Sequence, residues 1–209
     1  MCFIISGSIR NGSYDIGIAC GITSENVAER FGISRQKQDA FAVSSQQKAG
    51  KAQKLGLFAW EIIPVSTKFE DSEGNEKRIT VTQDDGIRAG TTLEGLAKLR
   101  PAFKENGSTT AGNASQVSNG AAAVLVARRS AAQQLGLPVL GVLRASAVVG
   151  VPPDDMGIGP AYAIPIVLQQ AGLTVDDIDV FEINEAFASQ SLWCCVHVYR
   201  NWNGGRCSL

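Results

Sequence analysis

The sequence predicts an α/β protein with a largely parallel sheet, on three observations. From about Ala121 onward, apolar strand-like runs alternate with helix signals. Apolar residues make up 44% and charged residues 19%, which is globular and outside the highly charged class that stays disordered. Glycine, at 22 of 209 residues, exceeds the usual share of roughly 7% and implies many tight turns or close backbone approaches. The length corresponds to about one to one and a half domains of roughly 150 residues each.

The elements follow in chain order. Met1–Gly21 shows no clear period. Thr23–Ser24 can cap a helix through Glu25–Phe31 that stops at Gly32. Ser34 caps a longer helix, Arg35–Leu55, in which Phe41, Ser45, Ala49, Ala52 and Leu55 step at three or four as one buried face; Gly56 ends it. Phe58–Val65, with Trp60 and Ile62, reads as a strand. Lys68–Thr82 reads as a polar surface hairpin around Glu73-Gly74-Asn75. Thr91-Thr92-Leu93-Glu94 matches a capping box, with Glu94 reaching back to the Thr91 amide, and the helix it opens must stop before Pro101. The stretch Lys68–Arg100 interrupts the alternation and reads as an inserted loop region.

In Gly107–Ala123, fifteen of seventeen residues are Gly, Ala, Ser, Thr or Asn. Such a run lets backbone or ligand approach backbone. Ala123–Arg128 is a buried-strand candidate, and Ser130 caps a helix ending at Gly136. Pro138–Val151 is strand-like. Pro160 suits the first position of a helix to Ala171, closed by Gly172, with Pro165 placed to bend it. Ile178–Ile183 is a short strand running into Asn184-Glu185-Ala186-Phe187-Ala188. Leu192–Leu209 carries no clear period.

Composition also excludes functions. With 19 basic and 20 acidic residues the net charge is −1, without the basic excess of a nucleic-acid binder or of an electrostatic membrane anchor. No run of 18 apolar residues exists, and no basic region precedes the apolar patch in Met1–Arg10, so neither a membrane span nor a secretory signal is read. His197 is the only histidine, which rules out chemistry needing two in this chain alone. Five cysteines (2, 20, 194, 195 and 207) lie at the two ends, an odd number that suggests no disulfide framework and a reducing compartment. Cys194, Cys195, His197 and Cys207 match no common zinc spacing, so no metal is expected.

Three features carry chemistry, each with two readings. Asn184, at a strand end, offers an amide to a developing oxyanion, with Glu185 to orient it; it also suits a helix N-cap, with Glu185 on the dipole. The small-residue run suits a long narrow substrate arm, or a tightly packed strand and turn; it holds no nucleotide-binding glycine motif. Arg88 suits a phosphate, or is an ordinary surface arginine. Thr23, Asp39, Asp154, Asp155, Asp176, Asp177 and Asp179 read as caps and solvated faces.

Five ordered strings make the sequence recognisable: Gly21-Ile22-Thr23-Ser24-Glu25-Asn26-Val27-Ala28, Gly95 to Phe103, Thr110-Ala111-Gly112-Asn113-Ala114-Ser115, Met156-Gly157-Ile158-Gly159-Pro160 and Asn184 to Ala188. From about Gly21 to Gln190 the chain resembles the thiolase family, its peroxisomal 3-ketoacyl-CoA branch in particular. The resemblance implies a layered αβαβα architecture, incomplete here, with the inserted loop region. It implies residues 1–131 as the remainder of the N-terminal domain with the CoA-binding loops, 132–191 as the start of the C-terminal domain, and 192–209 as a divergent tail. Thiolases cleave a 3-ketoacyl-CoA with CoA through a Cys nucleophile, a His base and a second Cys that moves the α-proton. CoA is then a substrate and no cofactor is implied.

By resemblance, Asn184 holds a water that stabilises the thioester oxyanion, and Ser115 and Ala111 line the pantetheine tunnel. Arg88 meets the nucleotide end of CoA, and Met156, Ala186 and Phe187 match positions near the acyl pocket. Cys2 and Cys20 lack the context of the nucleophile, and the Gly-His-Pro and late Cys-x-Gly strings are absent, since His197 precedes Val198. A truncated, marginally stable thiolase without turnover is therefore expected. The alternative is a non-catalytic fragment that binds CoA thioesters, pairs as a homo-dimer or pairs with a full-length thiolase. The resemblance implies a peroxisomal location, although Cys207-Ser208-Leu209 is not the Ser-Lys-Leu address.

Overall fold

Local cap chemistry sets most of the helices. The computed structural model describes residues 20–118 and 120–200. The readings for 1–19 and 201–209, Cys2 and Cys207 among them, lie outside these residues. Helix α1 (Cys20–Arg30) begins before Thr23 and Ser24, so these two are not caps. The Thr23 hydroxyl donates to the Cys20 carbonyl at 2.7 Å, and Ser24 points into the protein. Gly32, at φ +64°, turns the chain out of the helix as expected.

Helix α2 (Arg35–Lys54) starts where the sequence predicts, with Ser34 Oγ accepting from the Lys37 amide. Gly56 follows at φ +70°. Its buried residues are Gln38, Asp39, Phe41 and Ala42; Ser45, Ala49 and Ala52 are half-buried and Leu55 is exposed. The predicted apolar face is therefore a mixed one.

Residues 58–61 form turns and 62–64 no regular element, rather than a strand, and Trp60 is 82% exposed. The hairpin follows as predicted: β1 (Val65–Glu70) and β2 (Glu76–Val81) pair antiparallel, with Val65 opposite Val81 and Glu70 opposite Glu76. Asp71 closes the turn by accepting from the Glu73 and Asn75 amides. Helix α3 (Leu93–Ala97) is capped by Thr92, whose hydroxyl accepts from the Gly95 amide; Thr91 instead donates to the Arg88 carbonyl. The cap is thus displaced by one residue, and with Gly95 at the third helical position no capping box forms.

Helix α4 (Arg129–Gln134) is preceded by Arg128, with no side-chain cap, so Ser130 lies inside it. Helix α5 (Gly159–Ala171) runs through Pro165 and ends at Gly172, φ +69°. Helix α6 (Ala188–Arg200) extends through residues 192–200, where no clear period is read from the sequence. It packs against α1, α2, α5 and the 3-10 turn Pro153–Ile158. Ala161, Cys194 and Val198 form the apolar core, with Ile164, Val175, Phe181, Ile183 and Trp193 against it.

The strands expected over 123–128, 138–151 and 178–183 are not formed. Among the described residues the only sheet is the β1–β2 hairpin, and no backbone hydrogen bond ties these segments into a ladder. A strand persists only where a neighbour satisfies its amides and carbonyls. Leu125 is 80% exposed, the reverse of the burial expected for 123–128, and Leu140 in the strand-like run is 97% exposed.

Candidate functional site

The small residues of 107–118 are held by a buried polar network. Glu25 of α1 is buried, and its carboxylate accepts from the Ser108 and Thr109 amides at 2.8 Å each and from the Ser108 hydroxyl at 3.0 Å. Ser24 Oγ lies 2.8 Å from both Thr109 Oγ1 and Ser189 Oγ. Gln38 of α2 donates to the Ser108 hydroxyl at 2.9 Å. Such a network is directional, so it fixes register as well as burial.

The same stretch meets the segment before α6. Ser115 donates its amide to the Ala186 carbonyl at 2.8 Å, and the Ala188 amide donates to the Asn113 carbonyl at 3.0 Å. Ala114 and Phe187 form an isolated antiparallel bridge. Asn184 lies four residues ahead of α6 and is exposed, so the N-cap reading does not describe it. Glu185 does not orient it through a hydrogen bond; its Oε2 accepts from Ser45 Oγ of α2 at 3.0 Å.

A cavity of about 770 Å³ opens between α2, residues 81–88, residues 112–118 and residues 184–188. It brings together Arg88, Ser115 and Asn184, which are far apart in sequence. Its size falls in the range of small-molecule sites, roughly 300–1,000 Å³. Arg88 is tied to α2 and to its own loop: its amide donates to Gln46 Oε1 at 2.7 Å and Nη1 to the Gly86 carbonyl at 2.9 Å. Gln116 Nε2 reaches the same carbonyl at 2.6 Å, which links loop and wall. Asp84, Asp85 and Glu185 line the cavity as well, so Arg88 is outnumbered by carboxylates.

Ala111, Met156, Ala186 and Phe187 are not among the lining residues. Ala186 contributes a carbonyl to the bridge, Phe187 meets Phe103 edge-on at 6.2 Å, and Met156 lies half-exposed in the 3-10 turn. No cysteine or histidine is among the described lining residues. Cys194 is buried, and burial pushes its thiol up to about 11, which disfavours the thiolate. His197 stacks on Trp193 at 4.6 Å. Among the described residues no cluster of three metal-ligating side chains occurs.

Sequence reading missed several residues that frame the site. Asp39, read as solvated, is buried between Arg35 Nε at 2.7 Å and Asn113 Nδ2 at 3.0 Å. Outside the cavity lining, Thr23 is fully buried, and Asp155, 1% exposed, pairs with Arg30. Gln46 and Gln116 carried no motif. The Arg35/Asp39 spacing of four was the one available signal of a pair.

Two family models match the chain: Thiolase, N-terminal domain, over residues 6–130, and Thiolase, C-terminal domain, over residues 137–208. The peroxisomal 3-ketoacyl-CoA thiolase B of Rattus norvegicus is 64% identical across 91% of this chain and 53% of its own length. The peroxisomal 3-ketoacyl-CoA thiolase of Homo sapiens is 62% identical with the same coverage. The chain spans about half the length of the curated relatives it matches. The crystal structure of the dimeric peroxisomal thiolase of Saccharomyces cerevisiae superposes with a TM-score of 0.77 at 56% identity, over 86% of this chain and 44% of that one. The acetyl-CoA acetyltransferase of Bacillus anthracis gives 0.80 at 38% identity, over 90% of this chain and 46% of that one. The fold is part of the α/β architecture these proteins share.

Proposed function

The chain belongs to the thiolase family, and on that premise we propose that its cavity receives a CoA thioester in 3-ketoacyl-CoA thiolysis, the acyl-shortening step of fatty-acid oxidation. One observation carries the reading: the small-residue wall and the Asn184–Ala188 turn, distant in sequence, border one cavity and are bridged by backbone hydrogen bonds. The lack of bulky side chains at 112–115 leaves room for a narrow arm, which suits the pantetheine of CoA.

Asn184 takes the chemical role. Its amide donates, directly or through a water, to the thioester oxygen as negative charge builds there; the gain is larger in the transition state than in the ground state. Ser115 contacts the pantetheine amides, with Ala111 along the same arm, and Arg88 pairs with a phosphate. The family resemblance alone assigns Met156, Ala186 and Phe187 to the acyl chain; like Ala111, they lie outside the lining of this cavity. Among the described lining residues there is no thiol or imidazole to attack or deprotonate, so the roles proposed for this cavity are binding and oxyanion stabilisation. CoA is substrate here, not cofactor. The relatives' names assign them to the peroxisome, and the same location is proposed for this chain.

Calorimetry with CoA and acetoacetyl-CoA tests this. Binding is expected, with Arg88→Ala weakening it and Ser115→Trp abolishing it; no heat from the wild-type chain would overturn the reading. A thioester-loss assay is expected to show no turnover above buffer. A second reading, pairing with a full-length thiolase, is favoured by the exposed apolar residues Val124, Leu125, Val126, Leu140 and Leu143. Capture of purified intact thiolase supports it, and elution of the two as separate species in size exclusion rejects it.

A further inference from the structure

We propose that Asn113 is the positioning residue of the cavity: its side chain locks the small-residue wall onto α2, and its backbone carries that register to the turn holding Asn184. The idea rests on the reading above, that a CoA thioester touches both walls. Asn113 is 4% exposed and its amide is fully used. Oδ1 accepts from the Thr110 amide at 2.8 Å. Nδ2 donates to Asp39 Oδ1 and to the Ser108 carbonyl, both at 3.0 Å. Asp39 is itself held by Arg35, whose Nη2 donates to the Leu96 carbonyl at 2.6 Å.

From the other side of the same residue, the Asn113 carbonyl accepts from the Ala188 amide at 3.0 Å, and two residues on Ser115 donates to Ala186 at 2.8 Å. Asn113 thus belongs both to the clamp on α2 and to the bridge that sets Ser115 against the Asn184 turn. A ligand that spans the cavity feels any change in that register, because small misplacements of binding groups lose affinity steeply. Asn113 itself lines the cavity, yet its side chain is spent on protein groups, so it acts through its neighbours.

The substitution Asn113→Asp isolates this role. It keeps the acceptor for the Thr110 amide and places an oxygen where a donor faced Asp39 and the Ser108 carbonyl. The charged groups around it are Asp39 and Arg35 of α2, Glu25 of α1 beyond Ser108, and, on the cavity that Asn113 lines, Asp84, Asp85, Arg88 and Glu185; the first turn of α6, Ala188 to Ser191, carries no charge. At neutral pH two carboxylates oppose each other; on acidification they share one proton and the donor returns. Asp39→Asn in the same chain restores a donor without acid.

Calorimetry with CoA at neutral and mildly acidic pH, with a thermal melt of each variant, gives the test. Asn113→Asp is expected to bind about tenfold more weakly at neutral pH, the weight of one hydrogen bond to a charged group. Acid, judged against wild type at the same pH, and the added Asp39→Asn are each expected to restore most of it. Arg30→Ala, which loosens α1 from the 3-10 turn far from this bridge, is expected to lower the melt and keep wild-type affinity. Wild-type binding by Asn113→Asp, failure of both rescues, or affinity that tracks the melt in Arg30→Ala would overturn the proposal. If the wild-type chain gives no heat with CoA, the thioester reading alone falls. Hydrogen exchange at the Ser115 and Ala188 amides then decides: faster in Asn113→Asp and unchanged in Arg30→Ala supports positioning, and equal rates refute it.

Discussion

Replacing Glu25 by Gln tests whether the buried carboxylate holds the loop that precedes the cavity wall. Glu25 is 4% exposed. Its Oε1 accepts from the Thr109 amide at 2.8 Å and, more weakly, from Ser108 at 3.1 Å; Oε2 accepts from the Ser108 amide at 2.8 Å and hydroxyl at 3.0 Å. Gln keeps the Thr109 contact and turns an amide group toward the Ser108 N–H, so donor faces donor. The Ser108 hydroxyl already accepts from Gln38, so its own proton loses its acceptor. One buried donor left without its better acceptor costs about 1–3 kcal/mol, and lost charge assistance adds to it. Burying a neutral amide in place of a carboxylate offsets part of this. The net expectation is about 2 kcal/mol, or roughly 4–8 °C in melting temperature at 2–4 °C per kcal/mol. Glu25→Ala, which strands all three donors and opens space, is expected to cost about twice that. Calorimetric melts of the three chains measure the order. A Glu25→Gln chain as stable as wild type, or less stable than Glu25→Ala, would refute the assignment of the loop's hold to charge-assisted hydrogen bonds.

The remaining predictions concern other parts of the fold. Arg30→Ala leaves Asp155, 1% exposed, without its cation; about 2 kcal/mol is expected in urea unfolding, recovered in part by adding Asp155→Asn. Cys194, pushed up by burial from 9.0 to about 11, stays protonated in the native chain. It is expected to escape iodoacetamide at mildly basic pH until the chain unfolds, and rapid native labelling in peptide mass spectra would contradict this. The raised value also fixes a sign: the stability Cys194 lends is whole below 9.0 and is lost as pH climbs through about 11. Leu140→Lys is expected to raise the soluble fraction and reduce dye binding to apolar surface, because Leu140 is 97% exposed. A wild-type chain that neither binds the dye nor self-associates sinks that expectation.

What the sequence disclosed depended on how local the deciding interaction is. Helix α2 was legible from Ser34 to Gly56, and α5 up to Gly172, because caps and left-handed glycines are decided within a few residues. The cap of α3 was misplaced by one, since Thr91 and Thr92 are chemically alike and only the fold chooses which hydroxyl meets the Gly95 amide. The runs at 123–128 and 138–151 read as strands because apolar, β-branched stretches report a willingness to pair, whereas pairing itself needs a neighbour elsewhere. Asp39 and Asp155 read as solvated from sequence because burial of a carboxylate depends on an arriving partner, Arg35 and Arg30 respectively. At the site, Arg88, Ser115 and Asn184 converge on one cavity, yet Gln46 and Gln116, which fix the Arg88 loop, have no motif at all.

The apolar core of the described residues is small, with Ala161, Cys194 and Val198 at its centre, while the frame of the cavity is polar. The two kinds of interaction do different work. Hydrophobic burial is non-directional and tolerates sliding of one element on another. The bonds of Glu25, Ser24, Gln38, Asp39 and Asn113 are directional, and each ties residues 108–113 to a helix at one register. Changes to exposed apolar residues such as Leu140 therefore alter solubility and association, whereas changes to the polar frame alter where Ser115 stands relative to Asn184. Affinity for a ligand spanning both walls follows the second kind of change, and melting temperature follows both. A variant set that separates the two readouts locates the cavity's geometry in its hydrogen bonds.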